Sequence, residues 1–202
     1  MMAFISGLIT GGGLIVAVGA QNSFLLEQAL KRHMAFPIAL LFILSDALAI
    51  SLGAFGVGVL IHHQANLLEL FRWLGVTFLL WFAYQKWRSS FQEEHLIVQH
   101  ITSRLSIWPL FLMALAVTWL NPHFYLDTMV LMGSLANQFP DSTLFFVIGG
   151  ISASIIWFLS LSILGHLCAN WLSSVRFWRW FNRANALLIS IIAIKIATQS
   201  SF

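Results

Sequence analysis

The sequence predicts an all-α polytopic membrane protein of about six transmembrane helices, built as two inverted three-helix repeats with broken first and fourth helices. Three observations carry this expectation. Of 202 residues, 59% are hydrophobic and only 8% are charged, whereas a soluble domain carries roughly 25% charge. Apolar runs alternate with short polar segments along the whole chain. Two of those runs, one in each half, are interrupted by polar residues at corresponding places. A mean hydropathy of +0.87 and nine tryptophans agree, and a soluble enzyme is excluded. Because a spanning helix needs about 20 apolar residues, no appended soluble domain fits. Residues 1–202 read as one transmembrane domain, with repeat one at about 1–88 and repeat two at about 107–202.

The first pass, Met1 to Leu26, contains no charge. Its first twenty residues end in Ala17-Val18-Gly19-Ala20, which has the small-x-small spacing of a cleavage site. No Lys or Arg precedes it, however, and Gly11, Gly12 and Gly13 stand where a leucine-rich core belongs, so the segment is expected to be retained. Gly7 and Gly11 suit close helix packing, either inside the bundle or in a homodimer. The second pass, Pro37 to Ile61, holds one charge, Asp46. The third, Leu67 to Tyr84, has Glu69 and Arg72 in its first turns, and a polar stretch from Gln85 to Arg104 follows. The fourth, Ile107 to about Leu135, contains Asp127; the fifth spans Thr143 to about Leu167. The sixth, Asn185 to Ser200, is the shortest and contains Lys195.

Orientation follows from the basic residues, which are retained on the cytoplasmic side. Lys31 and Arg32 lie in the first loop, Lys86, Arg88 and Arg104 in the third, and Arg176, Arg179 and Arg183 in the fifth. The second loop (His62 to Asn66) and the fourth (Ala136 to Ser142) have none. Both termini are therefore expected outside. Trp73, Trp87, Trp108, Trp171, Trp178 and Trp180 fall at helix ends, as interfacial aromatics do. The formal charge of +3 is too small to suggest nucleic acid, so the lipid bilayer is the expected macroscopic partner. One cysteine, Cys168, leaves no internal disulfide and no Cys-based metal site. His62 and His63 read as a polar turn, and no metal and no cofactor are expected.

The breaks point to a function. Gly19-Ala20-Gln21-Asn22 interrupts the first pass and Asn121-Pro122-His123 the fourth. Proline lacks an N–H and clashes with the preceding turn. Backbone groups freed at membrane depth must be satisfied by protein or by a water-lined cavity. Half-helices beginning near Ser23 and Pro122 would aim N–H groups and a positive dipole end into that cavity, which suits a carboxylate. Aligning Asn22 with Asn121 leaves three passes per half, the inverted plan of many secondary transporters, whose site lies where the broken helices meet. A proline kink with packing asparagines is the structural alternative.

Buried charge adds to this. An uncompensated Asp46 at mid-helix costs about 2.5–3.5 kcal/mol on insertion scales. Ser45, Ala49 and Gly53 beside it follow small-xxx-small spacing, so this face is expected to pack inward. Asp127 lies one turn after His123 on the same face. The candidate substrate-binding residues are thus Gln21, Asn22, Asp46, Asn121, His123 and Asp127. Lys195, near the end of the last pass, has two fates open to it: snorkelling to the interface or joining the site.

At these residues the chain resembles the LysE-type basic amino-acid exporters, including the arginine exporters of that group. The resemblance rests on Gly19-Ala20-Gln21-Asn22-Ser23-Phe24-Leu25-Leu26, Ser45-Asp46-Ala47-Leu48, Thr118 through Thr128, and Ser154 to Phe158. It covers nearly the whole chain; related exporters with a Pro-Gly-Pro break in the first helix match less well. It implies export of lysine, arginine or a related amino acid across a bacterial inner membrane; expelling a cation against an inside-negative potential calls in addition for coupling to protons or another ion. Asp46 and Asp127 suit a cationic side chain or a coupling proton. A membrane enzyme would need a nucleophile with its base or paired histidines on one face, and none is found. A channel would present rings of like residues by oligomerisation.

Overall fold

The computed structural model describes residues 1–16, 19–56, 65–91, 107–169 and 175–198, and among them every regular element is helical. His62, His63, Glu93, Glu94, Arg104 and Trp171 lie outside the described residues. In chain order the helices are α1 (Met2–Val16), α2 (Ala20–Leu30), α3 (Ala35–Ala54) and α4 (Ala65–Ser89). The second half follows with α5 (Ile107–Trp119), a composite α6, α7 (Thr143–Cys168) and α8 (Val175–Thr198). Helix α6 runs as Pro122–Phe124, a π-helical stretch Tyr125–Leu131, and Met132–Ala136. Among the described residues, each half holds a broken helix and two long ones.

Length and apolarity suffice for crossing a membrane in α3, in Pro140–Cys168 and in Arg176–Thr198. Together, α1 and α2 pass the same test as one span bent by 76°. Helix α4 has 25 residues, but Glu69, Arg72, Lys86 and Arg88 dilute its apolar character. Several ends differ from the sequence expectation. Helix α3 ends at Ala54, where Gly56 turns the chain with φ at +103°, in the region that favours glycine; Val57 to Ile61, the rest of the expected second pass, lie outside the described residues. The last helix is not short: it starts at Val175 rather than Asn185. Arg176, Arg179 and Arg183 thus belong to a helix, not a loop. Their spacing places them on one helical face, and their charge hides the helix from a search for apolar runs.

Helix α3 shows how lipid and core divide the surface. Ile38, Phe42, Asp46, Ala49 and Gly53 are buried, whereas Phe36, Leu40, Leu44 and Leu48 are exposed at four-residue spacing. The stripe that would be a defect in water is the lipid-facing side here. The inner side meets α7, where the Phe42 and Phe158 rings lie 5.4 Å apart, and α6, where a Cβ on Gly53 would overlap the backbone of Met129. The expected inward face of Ser45, Ala49 and Gly53 is observed.

Gly7 and Gly11 are consumed inside the bundle. A Cβ on Gly7 would strike the carbonyl oxygen of Phe146, one on Gly11 would press on Gly150, and one on Gly149 would strike the carbonyl of Phe4. Glycine lets α1 and α7 touch backbone to backbone, the packing that membrane helices use in place of a hydrophobic driving force. Gly149→Ala is expected to cost about 1–3 kcal/mol, seen as a lower melting midpoint in detergent, while Gly12→Ala, facing open space, leaves the midpoint unchanged.

Lys31, Lys86 and Arg183 gather at one end of the bundle. Buried Glu27 accepts a hydrogen bond from Lys31 Nζ at 2.6 Å and another from Lys86 Nζ. Lys31 also lies 5.7 Å from the Trp178 ring centroid, and Arg183 stands over the Phe91 ring at 5.2 Å. These contacts bring the C-terminal ends of α2 and α4 to the N-terminal end of α8. Helix α8 then runs away from this end, and α1 begins beside the first turns of α7, so Met2 and Thr198 both lie away from the basic end.

Candidate functional site

The two breaks are built by different residues. Gly19 caps α2 with an extended backbone (φ −137°, ψ 177°) and no side-chain cap, and the Ser23 N–H already bonds the Gly19 carbonyl at 3.1 Å. The half-helix thus begins at Ala20, earlier than Ser23, and Gln21 and Asn22 lie in its first turn. At the second break Asn121 is itself the cap: its Oδ1 accepts the backbone N–H of His123 at 3.2 Å. Gly19 and Asn121 thus hold the capping positions at the two breaks.

Side chains satisfy the carbonyls that each break orphans. Asn22 Nδ2 donates to the Ile15 carbonyl at the end of α1, at 2.9 Å. The Tyr125 hydroxyl donates to the Trp119 carbonyl at the end of α5, at 2.7 Å. Both solve the problem that hydrocarbon imposes on any interrupted helix. The rings of Trp119, Phe124 and Tyr125 pack edge to face around the second break, with centroids 5.3–6.0 Å apart. After it the backbone widens into the π-helical stretch carrying Asp127, a local form that recurs at functional sites.

Between the breaks lies a cavity of about 390 Å³. All six sequence-derived candidates, Gln21, Asn22, Asp46, Asn121, His123 and Asp127, line it. Lys195 on α8 lines it too, along with Ile192, and is itself exposed. Asp46 is only 2% exposed, and its Oδ2 accepts a hydrogen bond from Ser154 on α7 at 2.7 Å. Among the described residues, Gln21 Nε2 is buried without an acceptor, a donor left over at the first break.

Several residues in the site's surroundings carry no role in the sequence reading. Ser154 and Trp157 fall in a matched segment without an assigned contact; the structure places them on Asp46 and Asn22. Glu27, just past the first apolar run, is a buried charge that run-based reading passes over; its one visible signal is the i,i+4 spacing to Lys31.

The chain matches the LysE type translocator family over residues 13–200. It is 36% identical to the arginine exporter protein ArgO of Pectobacterium carotovorum subsp. carotovorum (strain PC1) over 195 residues, covering 96% of each chain. The ArgO of Serratia proteamaculans (strain 568) is 36% identical over 202 residues, all of this chain and 98% of that one. That of Salmonella schwarzengrund (strain CVM19633) is 35% identical over 197 residues, 97% and 93% of the two chains. No solved structure matches. With a helix break on either side of the cavity, this multi-pass membrane protein belongs to the LysE type translocator family.

Proposed function

We propose that the protein is a secondary active transporter that exports basic amino acids, arginine foremost, across the bacterial inner membrane. The observation that carries this reading is the charge set of the cavity. Asp46, Asp127 and Lys195 all line the cavity, and with substrate bound the two acids would supply two negative charges and the lysine one positive charge. Arginine and lysine carry the complement: two cationic groups and one carboxylate. A neutral amino acid would leave one acid of the cavity without a partner, and an uncompensated buried charge is expensive. The first turn of α2, with Gln21 and an uncapped helix end, favours the same carboxylate as Lys195. The names of the relatives, all arginine exporters, support the same substrate.

Expelling a cation against an inside-negative potential costs about 2.3 kcal/mol per charge per 100 mV. Export therefore calls for coupling to protons or another ion. The repeated order of a broken helix and two long ones supports the inverted-repeat plan, with both halves moving around the cavity. Purified protein in proteoliposomes is expected to give counterflow of labelled arginine driven by internal arginine or lysine. Counterflow driven instead by a neutral amino acid would move the assignment to another small amino-acid-like metabolite, and flux without accelerated exchange would make the protein a channel.

The basic end is assigned to the cytoplasm, which puts both termini outside. In a Cys168-free background, Asn137→Cys should react with an impermeant maleimide added to intact cells, and Arg88→Cys only after permeabilisation. The reverse pattern inverts the orientation.

A further inference from the structure

One face of α7 reaches both acidic and amide members of the cavity. Ser154, fully buried, donates its hydroxyl to Asp46 Oδ2 at 2.7 Å. Trp157, three residues on and so on the same face, donates its indole N–H to Asn22 Oδ1 at 3.1 Å. Asn22 in turn holds the Ile15 carbonyl through Nδ2. An indole can only donate, so Trp157 fixes which end of the Asn22 amide faces it. A flipped amide would set N–H against N–H there and would leave the Ile15 carbonyl facing an oxygen. The second break is braced in the same cross-wise manner: Trp119, the last residue of α5, donates its indole N–H to Ser45 on α3 at 3.2 Å. Each broken helix is thus pinned by the long helix that follows the other break, and the Ser154–Asp46 bond joins those two long helices at the cavity.

Resting on the proposed substrate site, we propose that Ser154 and Trp157 are positioning residues, which set the separation and orientation of Asp46 and Asn22 for the amino-acid ligand. The Ser154 hydroxyl occupies one carboxylate oxygen and fixes the plane of the other. The Trp157 N–H holds the bent junction of α1 and α2 in register with that carboxylate. The pairing makes α7 a ruler between the two.

Trp157→Phe removes the N–H and keeps an aromatic ring; Ser154→Ala removes the hydroxyl without adding bulk. Each is expected to raise the half-saturation for arginine counterflow about tenfold, the order of one lost hydrogen bond. The melting midpoint of the unliganded protein in detergent should stay within a few degrees of wild type. An unchanged half-saturation, with or without a lower midpoint, overturns the proposal, since a purely structural role moves only the midpoint. If both quantities move, Trp157→Phe is repeated in an Asn22→Ala background: no further loss of affinity supports action through Asn22, and an additive loss overturns it. Should Trp157→Phe not fold, Ser154→Ala carries the test alone, with Asp46→Asn as its cycle partner and arginine-induced thermal shift as the readout. Wild-type affinity in Asp46→Asn would instead strike the site reading itself, so the two failures are distinct.

Discussion

Asp46→Asn raises the half-saturation for arginine by roughly 10- to 100-fold, the range expected when a charge-assisted contact is lost. Asparagine keeps the size of the side chain and still accepts the Ser154 hydroxyl, so shape and packing are retained and only the charge goes. The loss should be much smaller for a neutral analogue of arginine such as citrulline, because the removed charge has no cationic partner on that molecule. A second role for the same carboxylate is separable in the same vesicles. If Asp46 carries the coupling proton, Asn abolishes export driven by a pH gradient but leaves exchange at equal pH near wild type. Wild-type rates in both modes would leave Asp46 as a partner of Ser154 and nothing more.

The site was legible because a bilayer permits so few polar residues at depth. Gln21, Asn22, Asp46, Asn121, His123 and Asp127 are conspicuous in apolar surroundings, and all line one cavity. What the sequence leaves open is register and partnership. Gly19 and Asn121 look nothing alike, yet both hold the capping position at their breaks, since a cap can be a bare extended backbone or an amide side chain. The start of α8 is hidden because Arg176, Arg179 and Arg183 break an apolar run without breaking a helix. Trp157 and Ser154 look like ordinary helix residues, because their hydrogen bonds cross more than 100 positions and leave no local pattern.

Glu27 belongs with those hidden partnerships. Its two lysines lie on different helices, so only the tertiary arrangement discloses a carboxylate shared between them. A buried ion pair contributes little net stability but is costly to break on one side only. The Glu27 group therefore serves best as a register device, tying the second half of the broken first span to α4 at the basic end. In the proposed reading the cavity residues follow a different logic, being held in place by the protein with charge left over for a ligand.

That leftover charge is most sharply tested at Lys195. If its ammonium group receives the α-carboxylate, Lys195→Gln weakens arginine by roughly 10- to 100-fold, again the range for a charge-assisted contact. Agmatine, which is arginine without its carboxylate, provides the control. It has nothing to offer Lys195, so the substitution should leave its binding unchanged or improve it, because a cation lining the same cavity is gone. The ratio of arginine to agmatine affinity, measured by competition against labelled arginine counterflow, should then fall toward one in Lys195→Gln. Lys195→Arg, which keeps the charge, should retain most of the preference. A lysine that merely snorkels to the interface predicts no change in the ratio for either variant, and that result would remove Lys195 from the site while leaving the assignments of Asp46 and Asp127 to stand on their own tests.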